Sequence, residues 1–224
     1  MSIDDLFRHD SILLDEPDDA MPLHDREYRV RAFRLAGDRL LIKGAVRDQK
    51  PPHLYIRADD EPITVHHMRV DLTLSFPELV ILEVDAHIDM HPRDECPSIT
   101  AHYDKLVGLS IARGFTHKVR ELFGGPRGCT HTTALLQAMG PVAMQCFWSM
   151  KAATATLQGE PEPMLDPDRH EDNLWHKSID TCHVWRADGE PVAARAAGIP
   201  EPAPVFLRRR AAELGITLPG YSDS

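Results

Sequence analysis

The sequence predicts an α+β fold, with a four-stranded antiparallel sheet followed by helices packed on one of its faces. Three observations predict it. Residues 65–76 and 78–88 alternate apolar and polar side chains, the period of a strand with one buried and one wet face. Two earlier segments of strand character, "YRVRAFRL" and "RLLIKGAVRD", flank the turn signal "AGD". After about residue 103 the apolar spacing changes to three and four, the period of a helix lying on a core. Strands first and helices afterwards mark an α+β protein, not an alternating α/β one.

The elements follow in order. Residues 1–27 are rich in Asp and Pro and read as an acidic, loosely ordered leader to a core domain at 28–155. They lack the basic start and apolar stretch of a secretory signal. In the second strand Leu40, Ile42, Gly44 and Val46 share a face. In the third, Met68, Val70, Leu72, Leu74 and Phe76 point inward, and Arg69, Asp71, Thr73 and Ser75 outward. In the fourth, Val80, Leu82, Val84, Ala86 and Ile88 point inward, and Glu83, Asp85 and His87 outward. Val107, Ile111, Phe115, Val119 and Leu122 then fall at helical steps, with Gly114 as a break. Leu135, Met139, Val142, Cys146 and Met150 mark a second helix over about 130–154. Gly140 and Pro141 should kink or split it, because proline lacks the backbone N–H. The remainder, 156–224, reads as an irregular Pro-rich C-terminal extension with little core. It suits wrapping the domain or a partner subunit in a homo-oligomer.

Charge narrows the function. Thirty-five acidic against 25 basic side chains give a formal net charge of −10. Nucleic acid and anionic membranes need a basic footprint, so neither is expected as the main partner. The run "PVFLRRRAAEL" is too short to reverse this and reads as a solvated helix face. No window has the apolar length that spans a bilayer. Cys96, Cys129, Cys146 and Cys182 are widely spaced without a CxxC pair, the usage of a cytosolic protein with reduced thiols. A small-molecule substrate remains.

Strand parity locates the chemistry. Asp48 shares the parity of Leu40, Ile42 and Val46, and His66 that of Met68 and Val70. In an antiparallel meander both positions lie at one end of the sheet. The fourth strand finishes at that end and delivers "DMHPRDEC", with His91 and Cys96. Each residue alone reads better as a satisfied polar group at a sheet edge; for the set, that plain reading and a site stand level. The cluster "DAHIDMH" looks like a metal motif, but Asp85 and His87 have outward parity, which makes them peripheral. "GGPRGCTH" is different. Its glycines permit unusual backbone angles and close approach, and the helix that follows opens with unpaired N–H groups, a setting that in general favours a thiolate. Cys129 is placed there to react or to coordinate, and His131 to act as ligand or base. Two residues apart, they share a site only at an irregular helix start. The plain alternative is a Thr130 cap with Cys129 as a small buried apolar residue. Cys146, in "MQCFW", reads as packing, and Cys182 is undecided. A straight helix of about twenty residues would carry Cys129 roughly 30 Å from the rim, so proximity of Cys96 and Cys129 requires a bend near Gly114.

"VHHM", the lone Cys96 after a strand, "VGLSIARGF" and "GGPRGCTH" together resemble a family of bacterial proteins of unknown function. Its pattern has an Asp-x-Lys-Pro segment, a His-x-Met, a cysteine after the last strand, and Gly-Cys-Thr-His-Leu followed by Glu-Leu-Leu. The likeness runs in order over about residues 28–150, and Asp48, His66, Cys96, Cys129 and His131 fall on its polar positions. Thr132 stands where the pattern has leucine, and Ala134 where it has glutamate, so a role for that glutamate is absent or moved. The resemblance implies a bacterial cytosolic protein and supplies no activity. A weaker likeness is to iron–sulfur scaffold proteins, whose Cys-Gly-Asp segment this chain lacks.

Three functions compete. The first is a zinc or iron site, an iron–sulfur cluster included, drawn from Cys96, Cys129 and His131, with His66, Asp48 or Cys182 completing it, and serving a small metabolite. The second is metal-free thiol catalysis on an acyl or thioester substrate. Cys129 would be its nucleophile, His131 or His66 its base, and Asp48 the orienting group, with the glycine loop and helix N–H groups holding an oxyanion. The third is a non-enzymatic binding or assembly module.

Overall fold

Alternation along the chain becomes a sheet with two unlike faces. In the computed structural model, which describes residues 6–7, 12–13, 17–160, 173–199, 202–218 and 221, the strands are β1 (Asp25–Leu35), β2 (Arg39–Lys50), β3 (Ile63–Ser75) and β4 (Ile81–Met90). They form one antiparallel sheet in the order β1-β2-β3-β4. The helices α1 (Phe115–Phe123) and α2 (Thr130–Gln158) follow it, with 3-10 turns over Cys96–Leu106 before them. The α+β class expected from the sequence is the one observed.

Compact units span residues 1–144 and 145–224. In the first, Leu40, Ile42, Val46, Met68, Val70, Leu72 and Leu74 are buried from the sheet, and Tyr103, Leu106, Phe115, Val119, Phe123, Leu135 and Met139 from the helical side. Helix α2 approaches β2 closely at Gly44, where an added Cβ would lie 2.7 Å from Met139 Sδ. The sheet's other face carries ion pairs: Arg47 with Glu27, Lys43 with Asp71, and Arg69 with Asp89.

Several expectations change in detail. β1 begins at Asp25, three residues before Tyr28, so the chain is already extended where a leader was expected. The rest of that leader expectation falls partly on residues 1–5, 8–11 and 14–16, outside those described. Between β3 and β4 the register shifts at Thr73/Leu74, which pair with Glu83 and Ile81 and pass over Leu82. The shift turns Ile81 inward at 1% exposure and leaves Leu82, expected inside, 41% exposed. A bulge opposes two residues to one and resets parity beyond it.

The helical spacing from Val107 to Ile111 also misleads. Val107 is 49% exposed, and this stretch bonds along the start of β4 instead. Gly108 N–H donates to Ile81 O (2.8 Å), Ile81 N–H to Leu109 O (2.9 Å) and Ile111 N–H to Leu79 O (2.9 Å). Gly108 (φ 86°) and Gly114 (φ 67°) supply the turns on either side. The chain therefore breaks at Gly114 and starts α1 there. Pro141 does not split α2, which is a single helix of 29 residues. Its buried stripe uses Ala143 in place of Val142, with Leu135, Leu136, Met139, Cys146, Phe147 and Met150.

The second unit holds the end of α2 and two short helices, α3 (Glu190–Ala196) and α4 (Val205–Leu214). α3 lies where the sequence reading expected irregular chain. Its signals are local: Glu190 in the first turn, Pro191 at the start and Arg195 in the last turn. Arg208, Arg209 and Arg210 of α4 are exposed, a solvated helix face. Part of the expected extension, 161–172, lies outside the described residues. Among those described, no helix is long and apolar enough to cross a membrane.

Candidate functional site

The inward face of β2 ends on a carboxylate. Asp48 is 1% exposed, and a carboxylate stripped of water needs donors. Four side chains supply them. Arg26, its Cα partner on β1, donates Nε to Oδ1 at 2.5 Å and Nη2 to Oδ2 at 2.7 Å. His66, its partner on β3, places Nδ1 3.1 Å from Oδ2. His131, on the first turn of α2, places Nε2 3.2 Å from the same oxygen. His24 Nε2 lies 3.5 Å from Oδ1. Burial by itself pushes the Asp48 carboxyl up, but the Arg26 fork outweighs it and holds the group at about 2. Arg26 is raised in turn, chiefly by its bonds to Asp48.

An ionised carboxylate only accepts, so it dictates the tautomers of the rings beside it. A neutral His66 carries its proton on Nδ1, and a neutral His131 on Nε2. That leaves the Nδ1 lone pair of His131 facing Cys129, whose Sγ is 3.7 Å away. Burial pushes His131 down, the neighbouring His66 adds to this, and Asp48 opposes both. The net effect favours the neutral ring, the form that accepts a proton. The His66 and His131 rings stack, with centroids 3.9 Å apart and planes 26° from parallel.

Cys129 stands one residue before α2, off the regular helix, which is how residues two apart come to face each other. Its backbone is fixed on both sides. Its N–H donates to Tyr103 Oη at 2.9 Å. Its carbonyl accepts from Thr133 N–H at 2.9 Å and from Thr133 Oγ1 at 2.8 Å. Burial raises the Tyr103 phenol. In the loop before it, Gly125 adopts φ 60°. A Cβ at Gly124 or Gly128 would come within 2.4 Å of Arg120 O or 2.6 Å of Phe123 O. The loop's amides turn back on themselves: Arg127 N–H reaches Gly124 O and Gly128 N–H reaches Gly125 O.

The rings and the thiol open onto a groove of about 530 Å³, lined by His66, Met68, Arg93, Cys96, Ile99, Cys129 and His131 among others. Asp48 lies behind the two histidines, outside that lining.

Among the residues singled out by the sequence, Asp48, His66 and His131 converge. One ligand atom from each lies within 4.8 Å of the others, a donor set that could hold a metal ion. Cys129 touches His131 but falls outside that set. Cys96 falls outside it too and reaches only the shared groove. His91 bonds Arg93 O at 2.8 Å. His87 pairs with Asp85 at 2.8 Å on the outer face. Cys146 is buried, and Cys182 is exposed in the second unit.

Sequence reasoning missed Arg26, His24 and Tyr103. Arg26 carries a usable signal, the parity of Val30 and Ala32, but it lies in the stretch whose composition reads as leader. Tyr103 carries none.

Residues 24–145 match a family described as "Protein of unknown function (DUF2889)". The match covers more than half of the chain, which therefore belongs to that family, and it includes every residue described around Asp48 and Cys129. No curated protein and no solved structure matches the chain.

Proposed function

We propose that this DUF2889 protein is a thiol enzyme in which Cys129 accepts an acyl group from an ester or thioester of a small molecule. One observation carries the reading. His131 spans the nucleophile and a buried carboxylate, with Nδ1 3.7 Å from Cys129 Sγ and Nε2 3.2 Å from Asp48 Oδ2. Nucleophile, base and orienting group stand in the order that thiol catalysis needs. His131 takes the thiol proton as sulfur attacks the carbonyl and returns it to the leaving group. Asp48 holds the ring in the productive tautomer and stabilises the imidazolium. Arg26 keeps Asp48 ionised.

Of the expected oxyanion donors, the glycine loop and the helix N–H groups, this reading keeps the helix. Cys129 N–H is committed to Tyr103, so the donors would be the first free amides of the helix, those of Thr130 and His131. Met68, Ile99 and Pro92 give the groove an apolar wall suited to an acyl chain.

The test is incubation with p-nitrophenyl acetate followed by intact-mass and peptide analysis. A one-acetyl adduct on Cys129, lost in Cys129→Ala, is expected. A p-nitrophenol release that Cys129→Ala does not change would refute the reading.

A metal site is the second reading, favoured by the convergence of Asp48, His66 and His131. Their chemistry suits zinc or iron, but one feature opposes it: the Arg26 fork occupies both Asp48 oxygens. Elemental analysis of untagged protein decides: a stoichiometric metal lost in His66→Ala would favour this reading over the first.

A further inference from the structure

Asp48 serves two imidazoles, and the thiol uses only one of them. His66 and His131 bond the same oxygen, Oδ2, at 3.1 and 3.2 Å. Each is thereby fixed in a tautomer whose second nitrogen carries a lone pair. For His131 that nitrogen meets Cys129 Sγ. For His66 it is Nε2, which has no protein partner among the described residues, and the ring lines the groove. The rings are stacked, so they do not pass a proton directly from one to the other: a hydrogen bond runs in the plane of an imidazole, not through its face. His66 is thus a second base, oriented as carefully as the first and pointing at nothing in the protein.

The second half-reaction of an acyl thioester calls for a base, and His66 is free to be it while His131 stays with the sulfur. The thioester carbonyl must be attacked by an acceptor, and a hydroxyl acceptor is a poor nucleophile until its proton is removed. An amine, already nucleophilic, does not need this help. Resting on the thiol reading above, we infer that His66 is the general base of deacylation, and that the acceptor is a hydroxyl, water or a small alcohol, entering by the groove. His66 Nε2 takes the hydroxyl proton, the oxygen bonds to the acyl carbon, and the carbon–sulfur bond breaks to release the Cys129 thiolate. His66 then loses its proton to groove water, and the thiolate regains one from the same water through His131. No oxidant, reductant or further reactant is required.

Stopped-flow release of p-nitrophenol from p-nitrophenyl acetate separates the two halves. Wild type is expected to show a burst equivalent to the enzyme, followed by slower turnover. His66→Asn should retain a full-amplitude burst, while turnover falls by about 10²–10⁴-fold. Hydroxylamine, a nucleophile that needs no base, should restore turnover to His66→Asn. It should not restore it to His131→Asn, which forms no acyl-enzyme. Added methanol separates the acceptors: methyl acetate among the products identifies an alcohol acceptor, and acetate alone identifies water. Equal loss of burst and turnover in His66→Asn, or unchanged turnover, overturns the inference. His66→Gln serves as a second variant should the first fail to fold. Absence of acetyl-Cys129 in wild type would instead remove the thiol reading itself, a different and recognisable result.

Discussion

The two faces of the sheet carry almost the same set of side chains and use it differently. On the inward face Asp48 accepts an arginine fork from Arg26 (2.5 and 2.7 Å) and a histidine, His66 (3.1 Å). On the outward face Asp89 accepts a fork from Arg69 (2.5 and 3.0 Å), with His67 at 3.6 Å. The arginine lowers both carboxylates. Burial separates them: Asp48 is 1% exposed and Asp89 34%. Water screens the outer group and can replace any partner it loses. The inner group has only its protein donors, and those donors include a ring poised over a thiol. Identical pairing chemistry is a solvated surface in one place and a candidate site in the other, so composition and pairing geometry alone do not identify function.

The largest difference should appear in catalysis. Asp48→Asn is expected to slow acylation of Cys129 by about 10²–10⁴-fold, because the amide no longer enforces the His131 tautomer or stabilises its charge. Asp89→Asn should leave it within about twofold. Burst rates with p-nitrophenyl acetate measure both, and comparable losses in the two variants would erase the distinction.

Stability should follow the same order. Removing the buried partner strands the donors around it, so Asp48→Asn should cost about 3 kcal/mol, the low end for a broken buried pair because Arg26 stays 37% exposed. Asp89→Asn should cost about 0–1 kcal/mol. Urea unfolding at neutral pH compares them.

Acid sharpens the contrast. A carboxyl lowered from 3.8 to about 2 on folding contributes stability that is present above pH 3.8 and lost as pH falls toward 2. For Asp48 this is about 2 kcal/mol, and Asp48→Asn should flatten the stability profile in that window. Asp89 works with the same sign but smaller size, being screened. His131, lowered from 6.5, keeps its base form to lower pH than an ordinary histidine. The acid limb of the acylation rate should therefore lie below pH 6.5, and a limb above that value would contradict the buried, neutral ring. Salt gives the smallest effect. Raising NaCl from about 0.1 to 1 M should remove the coupling between Arg69 and Asp89 in a double-mutant cycle and leave that between Arg26 and Asp48 nearly intact.

Much of this was legible in particular residues. The alternation of Leu40, Ile42, Val46 and Asp48 is local, and it survives as an uninterrupted buried set in β2. The same reading placed Asp48 and His66 on one face and His87 on the other, as observed. It failed where the ladder has an irregularity: Leu82 and Ile81 exchanged places because a bulge leaves no mark in hydropathy. It failed again over 107–111, where helical spacing coincided with a segment whose amides serve Leu79 and Ile81. Arg26 was lost because strand propensity fades at Asp25, and only pairing with β2 extends β1 that far.

The sequence by itself determined the class of the fold, the inward parity of Asp48 and His66, and a glycine loop that sets Cys129 at the head of a helix. These depend on periods of two and of three to four residues, which sterics impose within a few residues of chain. Only the tertiary structure decided that His131 would bridge Cys129 and Asp48, that Arg26 would hold the carboxylate, and that His66 would stack on His131 while Cys96 stayed at the groove wall. Those outcomes depend on register, on bulges and on the break at Gly114. An error of one residue in a strand turns a side chain to the opposite face, and a difference of a few ångströms separates a hydrogen bond from no contact at all.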